Sequence, residues 1–158
     1  MQEKVRILVA DDELPVTESL KMILEIKDYE VITFNDGPAA IASLDKERYD
    51  IAIVDMNFKN LDPKLDFESS KLFGLEILKR IKEKDPSIEV IIITAYSKEI
   101  LEEHNFSRGN AITLGAMEYI NKPFMMEEVY TLIDRGLRKR RERATKQAGP
   151  PNPPPEIH

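Results

Sequence analysis

The sequence alternates short apolar runs with amphipathic stretches, and this alternation restricts the possible folds more than any other feature. The apolar runs cover residues 5–10, 30–34, 51–54, 88–93 and 116–120. They are rich in β-branched residues and too short for buried helices, which is typical of strands covered on both faces. The stretches between them repeat apolar residues at helical spacing, as Val16, Leu20, Ile23 and Leu24 do. The pattern predicts an α/β fold in which five helices doubly wind a five-stranded parallel sheet.

Length and composition fit one compact domain with some additional chain. Of the 158 residues, 42% are hydrophobic, which suffices for one core. The absence of cysteine excludes a disulfide framework and a thiolate metal site. No apolar run approaches the length of about 18 residues that spans a membrane, and the charged N-terminus is unlike a signal peptide. A cytoplasmic protein without membrane contacts is expected.

The charge is distributed unevenly along the chain. Residues 1–134 hold 16 basic and 27 acidic residues, whereas residues 135–146 hold seven basic residues and one acidic residue. An acidic body argues against nucleic acid as the main ligand. The basic run has two interpretations. It either complements the dipole at the end of a solvated helix, or docks on an acidic surface of this chain or of a partner.

The end of the chain differs in composition from the rest. Five of the ten prolines lie in the last nine residues, a composition that cannot build a core. We therefore predict a domain over residues 1–143 and a flexible Pro-rich tail over residues 144–158.

Four of the predicted strands end on residues that can carry chemistry, namely Asp11 and Asp12, Asp55, Thr94, and Lys122. Right-handed crossovers in one parallel sheet bring these ends to the same edge. Three carboxylates close together raise one another's pKa values, and a hard cation such as Mg²⁺ relieves that repulsion. A lysine and a hydroxyl can then bind phosphate oxygens. The pattern predicts a phosphoryl-transfer site with Asp55 as the nucleophile.

This ordered set of residues resembles the receiver domain of two-component response regulators, of the chemotaxis type. The matching motifs are Asp11-Asp12, Asp55, Thr94-Ala95 and Lys122-Pro123, and the resemblance covers about residues 4–138. It implies a flavodoxin-like receiver fold in which Asp55 takes a phosphoryl group from a histidine kinase or a phosphotransfer protein.

The resemblance also implies a role for each site residue. Mg²⁺ would be held by Asp12, Asp55 and the backbone carbonyl of Asn57, with Asp11 acting through water. Thr94 and Lys122 would contact the phosphoryl oxygens, Tyr119 would be the aromatic switch residue, and the Lys122-Pro123 bond would be cis.

The chain departs from the family pattern in two places. The family places a glycine soon after the phosphoacceptor, but here the candidate, Gly74, follows Asp55 by 19 residues. This spacing indicates an insertion near residues 58–73, and a second insertion is indicated near residues 104–110.

The expected function is a phosphorylation-controlled switch that alters binding to a downstream protein target, and not an enzyme with its own substrate. The last strand and helix are a candidate homodimer surface. There are two alternative interpretations. An aspartyl-phosphate phosphatase of the haloacid dehalogenase type needs a second aspartate two residues after the nucleophile, and Asn57 at that position argues against it. A pseudo-receiver would bind proteins without being phosphorylated.

Overall fold

Five parallel strands form a sheet in the order β2-β1-β3-β4-β5. The computed structural model describes residues 3–56, 67–103 and 112–148. The strands are β1 (Arg6–Ala10), β2 (Glu30–Phe34), β3 (Ile51–Asp55), β4 (Glu89–Thr94) and β5 (Glu118–Asn121). Every neighbouring pair is parallel, so all strands end at one edge of the sheet. The predicted five-stranded parallel sheet is confirmed.

Helices connect the strands, as the alternating pattern predicts. They are α1 (Leu14–Ile26), α2 (Gly37–Ser43), α3 (Phe67–Lys84), α4 (Lys98–Glu103) and α5 (Met126–Ala148). Pro15 lies in the first turn of α1, where its missing N–H costs no hydrogen bond. The Asp36 side chain accepts a hydrogen bond from the Ala39 N–H and caps α2.

Two hydrophobic cores cover the two faces of the sheet. Because side chains alternate along a strand, Leu8 and Ala10 face α2 and α3, whereas Ile7 and Val9 face α1 and α5. The same alternation divides β3 and β4, all of whose residues are buried. Both faces are therefore covered, which explains why these strands are almost continuously apolar.

The last helix is longer than the sequence indicated. It continues to Ala148, whereas we predicted the domain to end at residue 143. Residues 149–158, the rest of the predicted tail, lie outside the described residues.

The two predicted insertions lie largely outside the described residues. Helix α3 begins at Phe67, so the second half of the 58–73 segment is helical. The first part of the 58–73 segment lies in residues 57–66, which the structure does not describe. The second predicted insertion lies in residues 104–111, which are also outside the described part of the chain. None of the described helices is both long and apolar enough to cross a membrane.

Candidate functional site

Three carboxylates meet at the carboxyl edge of the sheet. Asp55 is the last residue of the central strand β3, and Asp11 and Asp12 follow the neighbouring strand β1. Each contributes a carboxylate oxygen to a group whose members lie within 4.8 Å of one another. Asp11 is fully buried and Asp55 is 3% exposed. Asp12 is partly exposed, so the cluster opens to solvent on its side. The sequence-predicted carboxylates are thus brought together.

Lys122 lies among these carboxylates. Its Nζ atom is 2.7 Å from Oδ2 of Asp11 and 3.5 Å from Oδ2 of Asp55. Burial alone would lower the pKa of Lys122, but the charges of Asp55 and Asp11 outweigh this effect and the net shift is upward. Lys122 therefore stays an ammonium ion. Its backbone N–H donates to the Thr94 carbonyl, which fixes the end of β5 against β4.

Asp11 is held by hydrogen bonds to β2 and to the residue that precedes α1. The Asp11 N–H donates to the Phe34 carbonyl, and Oδ1 of Asp11 accepts from the Glu13 N–H at 2.8 Å. Burial raises the pKa of Asp11, while the hydrogen bonds from Lys122 and the Glu13 N–H oppose this.

Asn35 is a supporting residue that the sequence did not single out. Its Nδ2 group donates to the Asp11 carbonyl at 2.8 Å and to Oγ1 of Thr17 at 3.0 Å. It lies in a turn motif after β2, and only the position at a strand end hinted at a role. Asn35 and Thr17 orient the loop that carries the two acidic residues.

Thr94 and Tyr119 lie where the sequence predicted, at or near the end of β4 and on β5. Thr94 is fully buried, and its Oγ1 accepts a hydrogen bond from the Tyr96 N–H at 3.1 Å. Tyr119 is half-buried and packs against the core on the α2 and α3 face. The Lys122-Pro123 bond is cis, as predicted. Asn57, the predicted carbonyl ligand, lies outside the described residues.

Gly74 lets α3 approach the residue that follows Asp55. Its N–H donates to the Met56 carbonyl at 3.1 Å. A Cβ at position 74 would lie 2.2 Å from the Met56 carbonyl oxygen, so only glycine fits without movement of the backbone. The distant glycine thus packs next to the site despite the long segment between them.

Comparison with known proteins agrees with this architecture. The sequence model of the response regulator receiver domain matches residues 7–134. The chain belongs to the response regulator receiver family. Among its relatives, the transcriptional regulatory protein TrcR of Mycobacterium tuberculosis is 32% identical over 86% of this chain and 46% of its own length. Sporulation initiation phosphotransferase F of Bacillus subtilis is 30% identical over 87% of this chain and 95% of its own length.

This receiver chain spans about half the length of the first of these relatives and of several similar regulators. Among solved structures, a CheY-like receiver domain protein from Methanospirillum hungatei superposes with a TM-score of 0.71 at 26% identity, covering 89% of this chain and 99% of that one. The response regulator TrrA of Thermotoga maritima, solved in complex with Mg²⁺-BeF, has a TM-score of 0.64 at 29% identity, covering 84% and 98%.

Proposed function

We propose that this receiver is a phosphorylation-controlled switch in which the Asp55 carboxylate accepts a phosphoryl group. The donor would be a sensor histidine kinase or a phosphotransfer protein. The observation that carries this proposal is the position of Lys122, whose ammonium group lies within reach of both Asp11 and Asp55 in a site of three clustered carboxylates. A nucleophile, an acidic cluster and a cation at one edge are the parts that phosphoryl transfer needs.

In the transfer, an oxygen of the Asp55 carboxylate attacks phosphorus as the bond from phosphorus to the donor nitrogen breaks. The donor imidazole keeps the electron pair of that bond and takes up a proton. Lys122 is 3.5 Å from Oδ2 of Asp55, so its charge can pair with an oxygen of the transferred group. The Thr94 hydroxyl would donate to a second oxygen.

The donor set fits a hard divalent cation. Asp12, Asp55 and the Asn57 carbonyl would hold Mg²⁺ directly, and Asp11 would act through water. These are oxygen ligands, which Mg²⁺ prefers. Bound Mg²⁺ supplies positive charge that offsets the repulsion between the carboxylates and the incoming phosphoryl oxygens. The chain's own residues position the nucleophile and pair with the product.

The output is a change in protein binding and not turnover of a substrate. When Thr94 and Lys122 bind the phosphoryl group, Tyr119 reorients and the β5 and α5 surface changes its affinity for a protein target or for a second copy. The phosphoryl charge makes different contacts in the two conformations, which is the requirement for shifting their populations. Similar proteins are named as transcriptional regulatory proteins and as a phosphotransferase, which supports a regulatory role for this chain.

The test is incubation with Mg²⁺ and a small acyl phosphate donor, followed by intact mass measurement. Wild-type protein should gain one phosphoryl group, and Asp55→Asn should gain none while keeping its fold. The matched control is Asp36→Asn, since Asp36 lies outside the site and asparagine caps a helix equally well. Wild-type protein that gains no phosphoryl group would overturn the proposal and favour the phosphorylation-independent pseudo-receiver.

A further inference from the structure

The buried side of α5 changes from apolar residues to arginines partway along the helix. Val129, Leu132 and Ile133 are buried against the sheet. Arg140 and Arg143 follow Ile133 and Gly136 at spacings of seven residues, so they lie on the same side of the helix. The basic extension of α5 is the run of basic residues at 135–146. The phosphoryl transfer proposed above does not involve it.

The arginines on this side contact carboxylates of the same chain. Nη2 of Arg140 is 3.1 Å from Oδ1 of Asp50, and the Arg140 guanidinium also donates to the carbonyl and hydroxyl of Ser87. Arg143 pairs with the carboxylate of Glu89, which is 2% exposed. Arg140 and Arg143 therefore dock on their own domain, as one of the two interpretations of the basic run predicted, whereas other bases of the run, among them Arg138 and Arg141, are exposed.

A third arginine, five residues before Arg140, makes the same kind of contact. Nη2 of Arg135 is 3.2 Å from Oε2 of Glu118. We refer to Arg135, Arg140 and Arg143 as the arginine clamp.

Each carboxylate that the clamp holds marks the start of a strand. Asp50 directly precedes β3, and Glu89 and Glu118 are the first residues of β4 and β5. At their opposite ends, these three strands lead to the site residues, β3 to Asp55, β4 to Thr94 and β5 to Lys122. One helix thus ties together the starts of the three strands whose ends form the phosphoacceptor site.

The clamp also reaches the first strand. The second carboxylate oxygen of Asp50 accepts a hydrogen bond from the Arg6 N–H at 2.8 Å, and Arg6 begins β1, which leads to Asp11. At Gly136, helix α5 lies close to the sheet beside the clamp. A Cβ there would lie 2.8 Å from Cδ1 of Ile51 and 3.4 Å from Cβ of Glu89.

We propose that the arginine clamp is a positioning device for the phosphoacceptor site, fixing the relative placement of β3, β4 and β5 from their starts. All three strands are short, and β3 and β4 are buried on both faces, so a displacement at their starts is transmitted toward their ends. A strand of five residues spans about 17 Å, and a misplacement of about 1 Å at reacting groups can cost a reaction about 100-fold.

Geometric control gives these arginines a role beyond stability. Their side chains are 24–43% exposed, so each ion pair contributes little net stability, but its hydrogen bonds fix one arrangement. Arginine's planar fork is suited to this because it can bind a carboxylate through two parallel N–H groups.

The experiment compares two double variants of the 158-residue chain. Arg140→Gln with Arg143→Gln disrupts the clamp, whereas Arg138→Gln with Arg141→Gln removes the same charge from exposed positions of the same helix. The readouts are the backbone amide chemical shifts of Asp55, Thr94 and Lys122 and the rate of phosphoryl uptake from a small donor. We expect the clamp variant to shift these amides and to change the rate by about 2- to 30-fold, the range for coupling through a packed network. The control variant should match wild type.

Wild-type shifts and rate in the clamp variant, or equal changes in the control, would overturn the inference. If the clamp variant does not fold, Arg140→Lys with Arg143→Lys replaces it. This pair keeps the charge but loses the fork, so it should give changes in the same direction and of smaller size; unchanged shifts would again contradict the clamp. The rate readout rests on the proposed function, but the chemical shifts do not. A wild type that takes up no phosphoryl group therefore overturns that function while the shifts still decide the clamp.

Discussion

Asp55 and Asp11 are nearly or fully buried carboxylates, and the described residues bring one lysine, Lys122, within ion-pair distance of both. With Asp12 nearby, the cluster carries more negative than positive charge. The charge of Lys122 offsets part of the negative charge. A cation bound at the open side of the cluster would offset more of it. Residue chemistry therefore favours metal binding before any partner is considered.

Removal of one carboxylate should weaken metal binding without unfolding the domain. We expect Asp12→Ala to bind Mg²⁺ more weakly than wild type in calorimetric titration, because the substitution removes one of the three clustered carboxylates that would hold the ion. Asp36→Asn should bind as wild type does. Equal Mg²⁺ affinity in Asp12→Ala would show that the ion binds elsewhere.

Gly74 and Gly136 offer a matched pair for testing close approach. Gly74→Ala should lower the free energy of unfolding by about 1–3 kcal/mol, the usual cost of overpacking, because the new Cβ meets the backbone of Met56. Gly136→Ala meets the terminal methyl of Ile51, which can rotate away, and alanine gains about 1 kcal/mol in helix propensity. Its stability in urea unfolding should change little. A Gly74→Ala variant as stable as wild type would contradict the packing described here.

At the scale of elements, Lys82 joins the end of α3 to the start of β4. Its Nζ group donates to the carbonyls of Pro86 and Ile88. Burial, and then the charge of Arg143, lowers the pKa of Lys82 to about 8 from an ordinary value of 10.5. The clamp therefore has an effect on a neighbouring element that can be titrated.

The lowered pKa of Lys82 makes stability depend on pH in a defined direction. Between pH 8 and 10.5 the unfolded chain holds a proton on Lys82 that the folded chain has lost, so this residue makes stability rise with pH in that window. Tyrosines also titrate in this window and contribute to the pH dependence of stability. Their contribution is the same in Lys82→Met, so the difference between wild type and this variant isolates Lys82. Urea unfolding across this window should show a more positive slope of stability against pH in wild type than in the variant. Identical slopes would contradict the assignment.

The sequence predicted the elements well where one physical signal dominates. The strand ends at Asp55 and Thr94 were found because a buried parallel strand is continuously apolar until a polar residue ends it. The clamp was missed for a different reason. Arg140 and Arg143 continue the helical stripe visibly, but their partners lie 90 and 54 residues earlier, and nothing local identifies Asp50 or Glu89 as acceptors.

At the scale of the whole molecule, the two edges of the sheet have different chemistry. The carboxyl edge gathers carboxylates around a lysine, and the opposite edge holds three carboxylates bound by arginines of α5. Basic residues near the end of the chain therefore contact acidic residues of the preceding part directly. The sequence showed the uneven charge, but only the sheet order and the length of α5 show which residues pair.

The most direct test of the central claim is to locate the phosphoryl group chemically. Protein treated with Mg²⁺ and a small acyl phosphate is reduced with borohydride, which converts an aspartyl phosphate to homoserine, and is then mapped by peptide mass spectrometry. The account predicts homoserine at position 55 and at no other aspartate, with none in protein that was not given the donor. Homoserine at Asp11 or Asp12, or an unmodified position 55 in protein that has gained a phosphoryl group, would contradict it.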